Sequence, residues 1–293
     1  MNMEVNFCGI KMKNPIIAAS GTFGYGVEYK EYLDLNKIGA ISVKGLGIVP
    51  WNGNEGVRIA ETASGMLNCI GLENPGVEKF LSHYLPELKS YDVPIIANMV
   101  GKTAEEYGQV AKALTVPGVS AIEVNISCPN VTNGGIAFGT DPKVKRNTTL
   151  PVIVKLSPNV TDIVSVAKAV EEAGADAISL INTLMGMAID AGTRRPILGN
   201  ITGGLSGPAI KPVALRMVWQ VRKAVQIPIC GMGGIMTGKD VAEFMIAGAD
   251  TVQVGTATLV TPTAIPQITE ELLTWCKQNQ VEDINSIVNT LRV

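Results

Sequence analysis

Few residue types in this 293-residue chain can do chemistry, and their scarcity is informative. There is one histidine, His83. A multi-histidine metal cage is therefore out of reach, and a histidine-driven nucleophile would have to use His83 itself. His83 sits in Val77–Tyr91, whose apolar spacing reads as a solvated amphipathic helix. The five cysteines (Cys8, Cys69, Cys128, Cys230, Cys276) are scattered, odd in number and lack a C-x-x-C pair, which argues against disulfides and a zinc site; no metal is expected. Cys8, Cys230 and Cys276 read as small buried hydrophobes. Cys69 lies in a long loop and stays ambiguous. Cys128 is different: it follows an apolar run, precedes Pro129, which holds its backbone extended, and is flanked by Asn125, Ser127 and Asn130. A thiol titrates at about 8.5, so a modest depression would make Cys128 a base or nucleophile near neutral pH.

The elements that must position these groups are short, continuously apolar runs: Ile16–Ala19, Ala40–Val43, Ile95–Ala97, Ala121–Asn125, Val152–Leu156, Ala177–Ile181, Ile227–Gly231 and Thr251–Val254. Unbroken apolar character predicts parallel strands buried on both faces. Helical patterns alternate with them at Thr103–Leu114, Thr161–Ala173, Pro208–Val225, Thr237–Ala247 and near Thr263–Gln280, with Thr161 and Thr237 at cap positions and Gly174 and Gly248 after the ends. Eight such units predict an α/β fold, a TIM-type (β/α)8 barrel forming one domain over residues 1–293. Residues 1–14 would be an N-terminal hairpin closing its bottom. An open doubly wound sheet fits less well, because no G-x-G-x-x-G opens a helix after the first strand.

In a barrel, function gathers where strands end and βα loops begin. Those points carry Ser20, Lys44-Gly45, Asn98, Asn125, Lys155, Asn182-Thr183, Gly233-Gly234 and Gly255-Thr256. Lysine or asparagine in an apolar strand is costly to bury alone. One such lysine could simply snorkel to solvent, but two lysines and three asparagines on one rim suggest an anionic, carbonyl-rich ligand. The glycine pairs after the last two strands occupy the usual phosphate position of such barrels; glycines that merely turn the chain are the alternative. Two loops, 45–75 and 183–207, far exceed the usual 2–6 residues and read as active-face walls or lids.

Charge and composition narrow the class. Net charge is −2, and only 17% of residues are charged against 46% hydrophobic. That excludes charge-driven disorder and disfavours nucleic acid as a partner. No apolar run approaches the ~18 residues of a membrane span, and the N-terminus lacks a signal-peptide pattern, so a cytoplasmic protein without membrane contact is expected.

Six co-linear segments then carry a resemblance: NCIGLENP (68–75), EVNISCPN (123–130), KLSPN (155–159), INTLMG (181–186), GLSGPAIKP (204–212) and GMGGI (231–235). Together they resemble the dihydroorotate dehydrogenases, in particular catalytic subunits of the class 1B, NAD-linked type, over nearly the whole chain. The resemblance implies an FMN-bearing barrel, one FMN per chain, oxidising dihydroorotate to orotate in pyrimidine biosynthesis. It implies Cys128 as the general base. It implies substrate contacts from Lys44, Asn68, Cys69, Ile70, Gly71, Leu72, Asn125, Asn182 and Thr183. It implies FMN contacts from Ser20, Lys44, Gly45, Asn98, Asn125, Lys155, Ile181, Gly207, Gly233, Gly234, Gly255 and Thr256. FAD and a 2Fe-2S cluster would reside on partner subunits, two of them on a homodimer of barrels, passing electrons to NAD; fumarate-linked relatives share the site.

One departure stands out. After GTDP (139–142) the chain keeps only about eight residues before the next strand, about two turns. The fourth barrel helix is expected to be truncated, leaving apolar surface for a partner or marking a missing piece. Two other activities fit the same rim: reduction of uracil-type pyrimidines, as in the similar barrel of dihydropyrimidine dehydrogenase, and a flavin-free aldolase or isomerase using Lys155 as a Schiff-base lysine.

Overall fold

A computed structural model describes residues 1–126 and 143–293; Ser127, Cys128 and Asn130 lie outside these residues. In chain order the described strands begin with β1 (Val5–Phe7), β2 (Ile10–Met12), β3 (Ile16–Ala18), β4 (Ala40–Leu46), β5 (Ile59–Thr62) and β6 (Gly65–Asn68). Next come β7 (Ile95–Met99), β8 (Ala121–Asn125), β9 (Val152–Lys155), β10 (Ala177–Leu180) and β11 (Leu184–Met187). The last are β12 (Ile189–Asp190), β13 (Arg195–Pro196), β14 (Thr202–Ser206), β15 (Ile229–Met232) and β16 (Thr251–Val254).

Strands β3, β4, β7, β8, β9, β10, β15 and β16 close into a barrel in that order, every neighbouring pair parallel. These are the eight apolar runs, and the fold is the (β/α)8 barrel expected from them. Boundaries move slightly: β15 starts at Ile229 rather than Ile227, while β4 continues to Leu46 through a register shift after Val43. Helices flank the strands; Thr237 caps its helix as expected, but Thr161 does not, because the neighbouring Asp162 carboxylate takes the cap of 163–172. Thr103 and Asp162 accept from backbone amides at the first turns of 104–114 and 163–172, and Thr237 with Asp240 forms a reciprocal cap on 238–247. The helix after β6 runs through a wide turn at Phe80–Tyr84 just before Pro86; proline has no N–H to offer the carbonyl of Ser82, so the ladder loosens there. His83 is exposed on that helix and its ring lies edge-on to Tyr84.

The β1–β2 hairpin buries Val5, Phe7, Ile10 and Met12 against the barrel. Among the described residues, the fourth crossover shows one helical turn, Lys143–Arg146. Val144 is buried, Thr148 bonds Thr115 at 2.7 Å between hydroxyls, and Lys145 pairs with Asp176. Among the described residues, no exposed large hydrophobic side chain lies on helices 104–114 or 163–172.

The two long loops are not separate lids. Strands β5 and β6 from the first and β11 and β14 from the second form one antiparallel sheet, ordered β11-β14-β6-β5. A small second core of Leu67, Cys69 and Leu198 lies beneath it. Glycines permit the pairing: a side chain at Gly65 would come within 2.0 Å of the Ser206 carbonyl, and one at Gly203 within 2.6 Å of the Asn68 carbonyl.

Candidate active site

Seen from below, the rim stands on a polar barrel interior. Ser42, Asn98, Glu123, Lys155, Ser179 and Gln253 are all buried, and they come from six strands. Glu123 is at their centre with no exposed surface. One carboxylate oxygen accepts from Asn98 Nδ2 (2.6 Å) and Ser42 Oγ (3.1 Å); the other accepts from Gln253 Nε2 (2.6 Å) and Ser179 Oγ (2.8 Å). Burial pushes this carboxyl upward, but the Lys155 charge and the bonds from Asn98, Ser179 and Gln253 outweigh it, and the net shift is downward. Glu123 is ionised. Lys155 belongs to the rim side of the same group: it pairs in register with Asn125 and Ser179, and its ammonium donates to Ser20 Oγ at 3.4 Å.

The amide residues of the rim form a connected chain. Asn182 Nδ2 donates to Asn125 Oδ1 at 3.4 Å, and Asn182 Oδ1 accepts from the Thr183 amide at 2.7 Å. Thr183 lies against Gly204, where any side chain would meet its hydroxyl at 2.0 Å, and the Gly204 carbonyl accepts from Asn68 Nδ2 at 3.3 Å. Tyr107, from helix 104–114, donates its hydroxyl to the Asn125 carbonyl at 2.7 Å and fixes the end of β8. The structure thus brings together Asn68, Asn125, Asn182, Thr183 and Lys155, which are widely separated in the chain.

Lys44 stands on β4, half-buried, with Gly45 beside it so that Asn98 Oδ1 can approach; a side chain at Gly45 would lie 2.9 Å from that oxygen. Burial lowers the Lys44 pKa, Glu73 opposes this, and Arg58 adds to it. Arg58 and Glu73 are themselves paired at 2.5 Å in the 45–75 segment. Cys69 turns away from the rim: its thiol donates to the Val57 carbonyl at 3.6 Å and packs with Leu67 and Leu198. Ile70, Gly71 and Leu72 form a tight bend, with the Ile70 carbonyl held by the Asn54 amide and Leu72 at φ 56°. Gly71, at φ 78°, has Asn54 where a side chain would go.

On the opposite side, glycines make a cradle. Gly233 and Gly234 have φ of 126° and 76°; a side chain at Gly234 would meet the Gly207 carbonyl at 2.8 Å, and one at Gly207 would meet Gly65 Cα at 2.7 Å. Ile181 is buried next to Gly233. Thr256 Oγ1 bonds Ser206 Oγ at 2.9 Å, bringing two hydroxyls to this corner. Gly255 precedes Thr256 without steric need, since its nearest neighbours, Ala19 and Thr22, would stand at 3.5 Å. The turn between β5 and β6 rests here too, with the Ser64 carbonyl accepting from the Ala209 amide at 2.9 Å. That hairpin spans from the glycine cradle to Asn68.

Sequence reading missed Glu123 as a functional residue, together with Ser206, Arg58 and Glu73. A lone glutamate inside the apolar run Ala121–Asn125 was the available signal for Glu123. Its donors lie as far away as position 253, and nothing local shows them.

Known proteins resemble this chain over its full length. A family model described as dihydroorotate dehydrogenase matches residues 2–275. The chain is 57% identical over 301 residues to dihydroorotate dehydrogenase B (NAD(+)), catalytic subunit, of Citrifermentans bemidjiense, covering 100% of this chain and 99% of the relative. It is 54% identical over 299 residues to the protein of the same name from Alkaliphilus metalliredigens, covering 99% of each. Among solved structures, dihydroorotate dehydrogenase of Eimeria tenella in complex with ferulenol superposes with a TM-score of 0.81 at 20% identity, over 99% of this chain and 88% of that one, a likeness of fold. The chain belongs to the dihydroorotate dehydrogenase family.

Proposed function

We propose that this chain is the catalytic subunit of an NAD-linked dihydroorotate dehydrogenase, oxidising dihydroorotate to orotate in pyrimidine biosynthesis with one FMN. The observation that carries the reading is the convergence of Asn68, Asn125, Asn182 and two strand lysines on one rim beside a glycine cradle. The residues fit a phosphorylated planar cofactor. Gly207, Gly233, Gly234 and Gly255, with the Thr256 hydroxyl, would hold the phosphate through backbone N–H groups, the first three at positive φ where a side chain would be strained. Ser20, Lys44, Gly45, Asn98, Asn125, Lys155 and Ile181 would hold the ring. Bound there, the flavin would supply the hydride acceptor.

The chain's own work is binding and proton removal. Lys44 offers charge to the substrate carboxylate, while the Asn68, Asn125 and Asn182 amides meet ring carbonyls and N–H groups. Thr183 and the Cys69–Leu72 bend wall the other side. Cys128, three residues beyond Asn125, is the proposed base; its thiolate would take the substrate C5 proton. The names of the relatives, which give NAD(+) and a catalytic subunit, support NAD as final acceptor reached through a partner subunit; FAD and a 2Fe-2S cluster would reside on that partner. A homodimer of barrels with two such subunits is part of the proposal, and exposed Ile59, Met185, Met187 and Ile189 on and beside the loop sheet offer apolar surface to a partner chain. No helix among the described residues is long and apolar enough to cross a membrane; a cytoplasmic site is part of the proposal.

Co-purification tests the assignment. A second subunit bringing FAD and iron–sulfur absorbance, with NAD reduced by dihydroorotate only when both subunits are present, is the expected result. Turnover with fumarate by this chain alone would contradict it.

A further inference from the structure

The Glu123 cluster is more elaborate than a barrel core requires. A structural filler would be apolar; instead a fully buried carboxylate receives four donors from four strands. Two consequences reach the rim. An ionised carboxylate only accepts, so the Asn98 amide must turn its NH2 inward and its oxygen outward, toward Gly45. Glu123 also lies one residue layer below Lys155, since it pairs with Ile153 while Lys155 pairs with Asn125, and it is the carboxylate that interacts with that lysine. Among the described residues Lys155 makes one long hydrogen bond, to Ser20, and the carboxylate balancing its charge there lies below it.

We propose that Glu123 is a positioning residue of the flavin site, fixing the Asn98 amide and offsetting the Lys155 charge so as to set how strongly the rim favours reduced over oxidised flavin. The proposal rests on the reading that FMN occupies this rim. Lys155 stabilises the negative charge gained on reduction, and Glu123 tempers it.

The test is a charge cycle on the full chain, purified with whatever subunits accompany it and loaded with FMN: Glu123→Gln, Lys155→Met and both together. The readout is the ratio of oxidised to reduced FMN dissociation constants, obtained from the flavin midpoint potential. Glu123→Gln is expected to raise that ratio about tenfold, Lys155→Met to lower it by a similar factor, and the double variant to return near the wild-type value. Thermal unfolding of the flavin-free variants gives a second reading: Glu123→Gln strands a buried cation and destabilises strongly, and the double variant, lacking both charges, recovers stability. Shifts of the same sign in both single variants, or a double variant less stable than either, would overturn the proposal while leaving the flavin site standing. Failure of the wild-type chain to bind FMN at all would overturn the site itself and the proposal with it.

Discussion

The two rim lysines sit in unlike quarters of the barrel. Lys155 is buried, and its surroundings (Glu123, Ser179, Ser20, Asn125) all come from barrel strands or their ends. Lys44 is half-buried, and the charges that act on it, Glu73, Arg58 and Glu28, all come from outside the barrel strands. The first quarter is finished by the scaffold; the second is finished by segments that fold upon one another in the β5-β6-β14-β11 sheet. A cofactor that stays bound suits the former, and a substrate that enters and leaves suits the latter. Variants of the strand-built side should therefore disturb flavin binding and potential, and variants of the loop-built side should disturb substrate binding with the flavin in place.

The largest effect should come from the proposed base. Cys128→Ala is expected to keep its flavin and to slow reduction by dihydroorotate roughly 10²–10⁴-fold in stopped-flow absorbance; unchanged reduction would remove Cys128 from the role. On the cofactor side, Gly234→Val places atoms against the Gly207 carbonyl and forces a β-branched residue to φ 76°. FMN affinity, followed by flavin fluorescence quenching, should fall roughly 100-fold. On the substrate side, Lys44→Gln should raise KM for dihydroorotate by roughly tenfold or more and, because Lys44 is also proposed to touch the ring, weaken FMN by a smaller factor. Because Lys44 titrates below the ordinary lysine range, it loses its charge earlier as pH rises. Wild-type substrate affinity should therefore weaken on the alkaline side, a limb that Lys44→Gln lacks.

A smaller effect separates the quarters by stability. The Glu123 pKa is lower in the folded chain than in the unfolded one, so its contribution is fully present above the ordinary carboxylate range and is lost as pH falls through the folded value. Wild-type Tm should drop on acidification more steeply than that of the Glu123→Gln/Lys155→Met double variant. The smallest effect belongs to His83, exposed on the helix beyond both quarters; His83→Ala should leave kcat/KM within about twofold.

How much of this was legible in the sequence follows the same division. Barrel strands could be read because both faces of each are buried and the runs are continuously apolar, and Lys155 and Asn98 stood out against that background. Gly233 and Gly234 were legible by position after the seventh strand. The loop sheet was not: β6 and β14 are short and glycine-bearing, and they find each other across a long stretch of intervening chain, so neither shows a strand pattern alone. Cys69 could be placed in a loop by sequence, but its burial against Leu198 depends on that distant pairing. Glu123 is the same case inside the barrel, one glutamate whose meaning lies in Ser42, Asn98, Ser179 and Gln253.

Anaerobic titration of the FMN-loaded protein with dihydroorotate, with dihydrouracil in parallel, tests the central claim most directly. Dihydroorotate is predicted to bleach the flavin at one equivalent per chain, and dihydrouracil, which has no carboxylate for Lys44, to leave it yellow. Bleaching by dihydrouracil alone, or an active protein that carries no flavin, would contradict that claim.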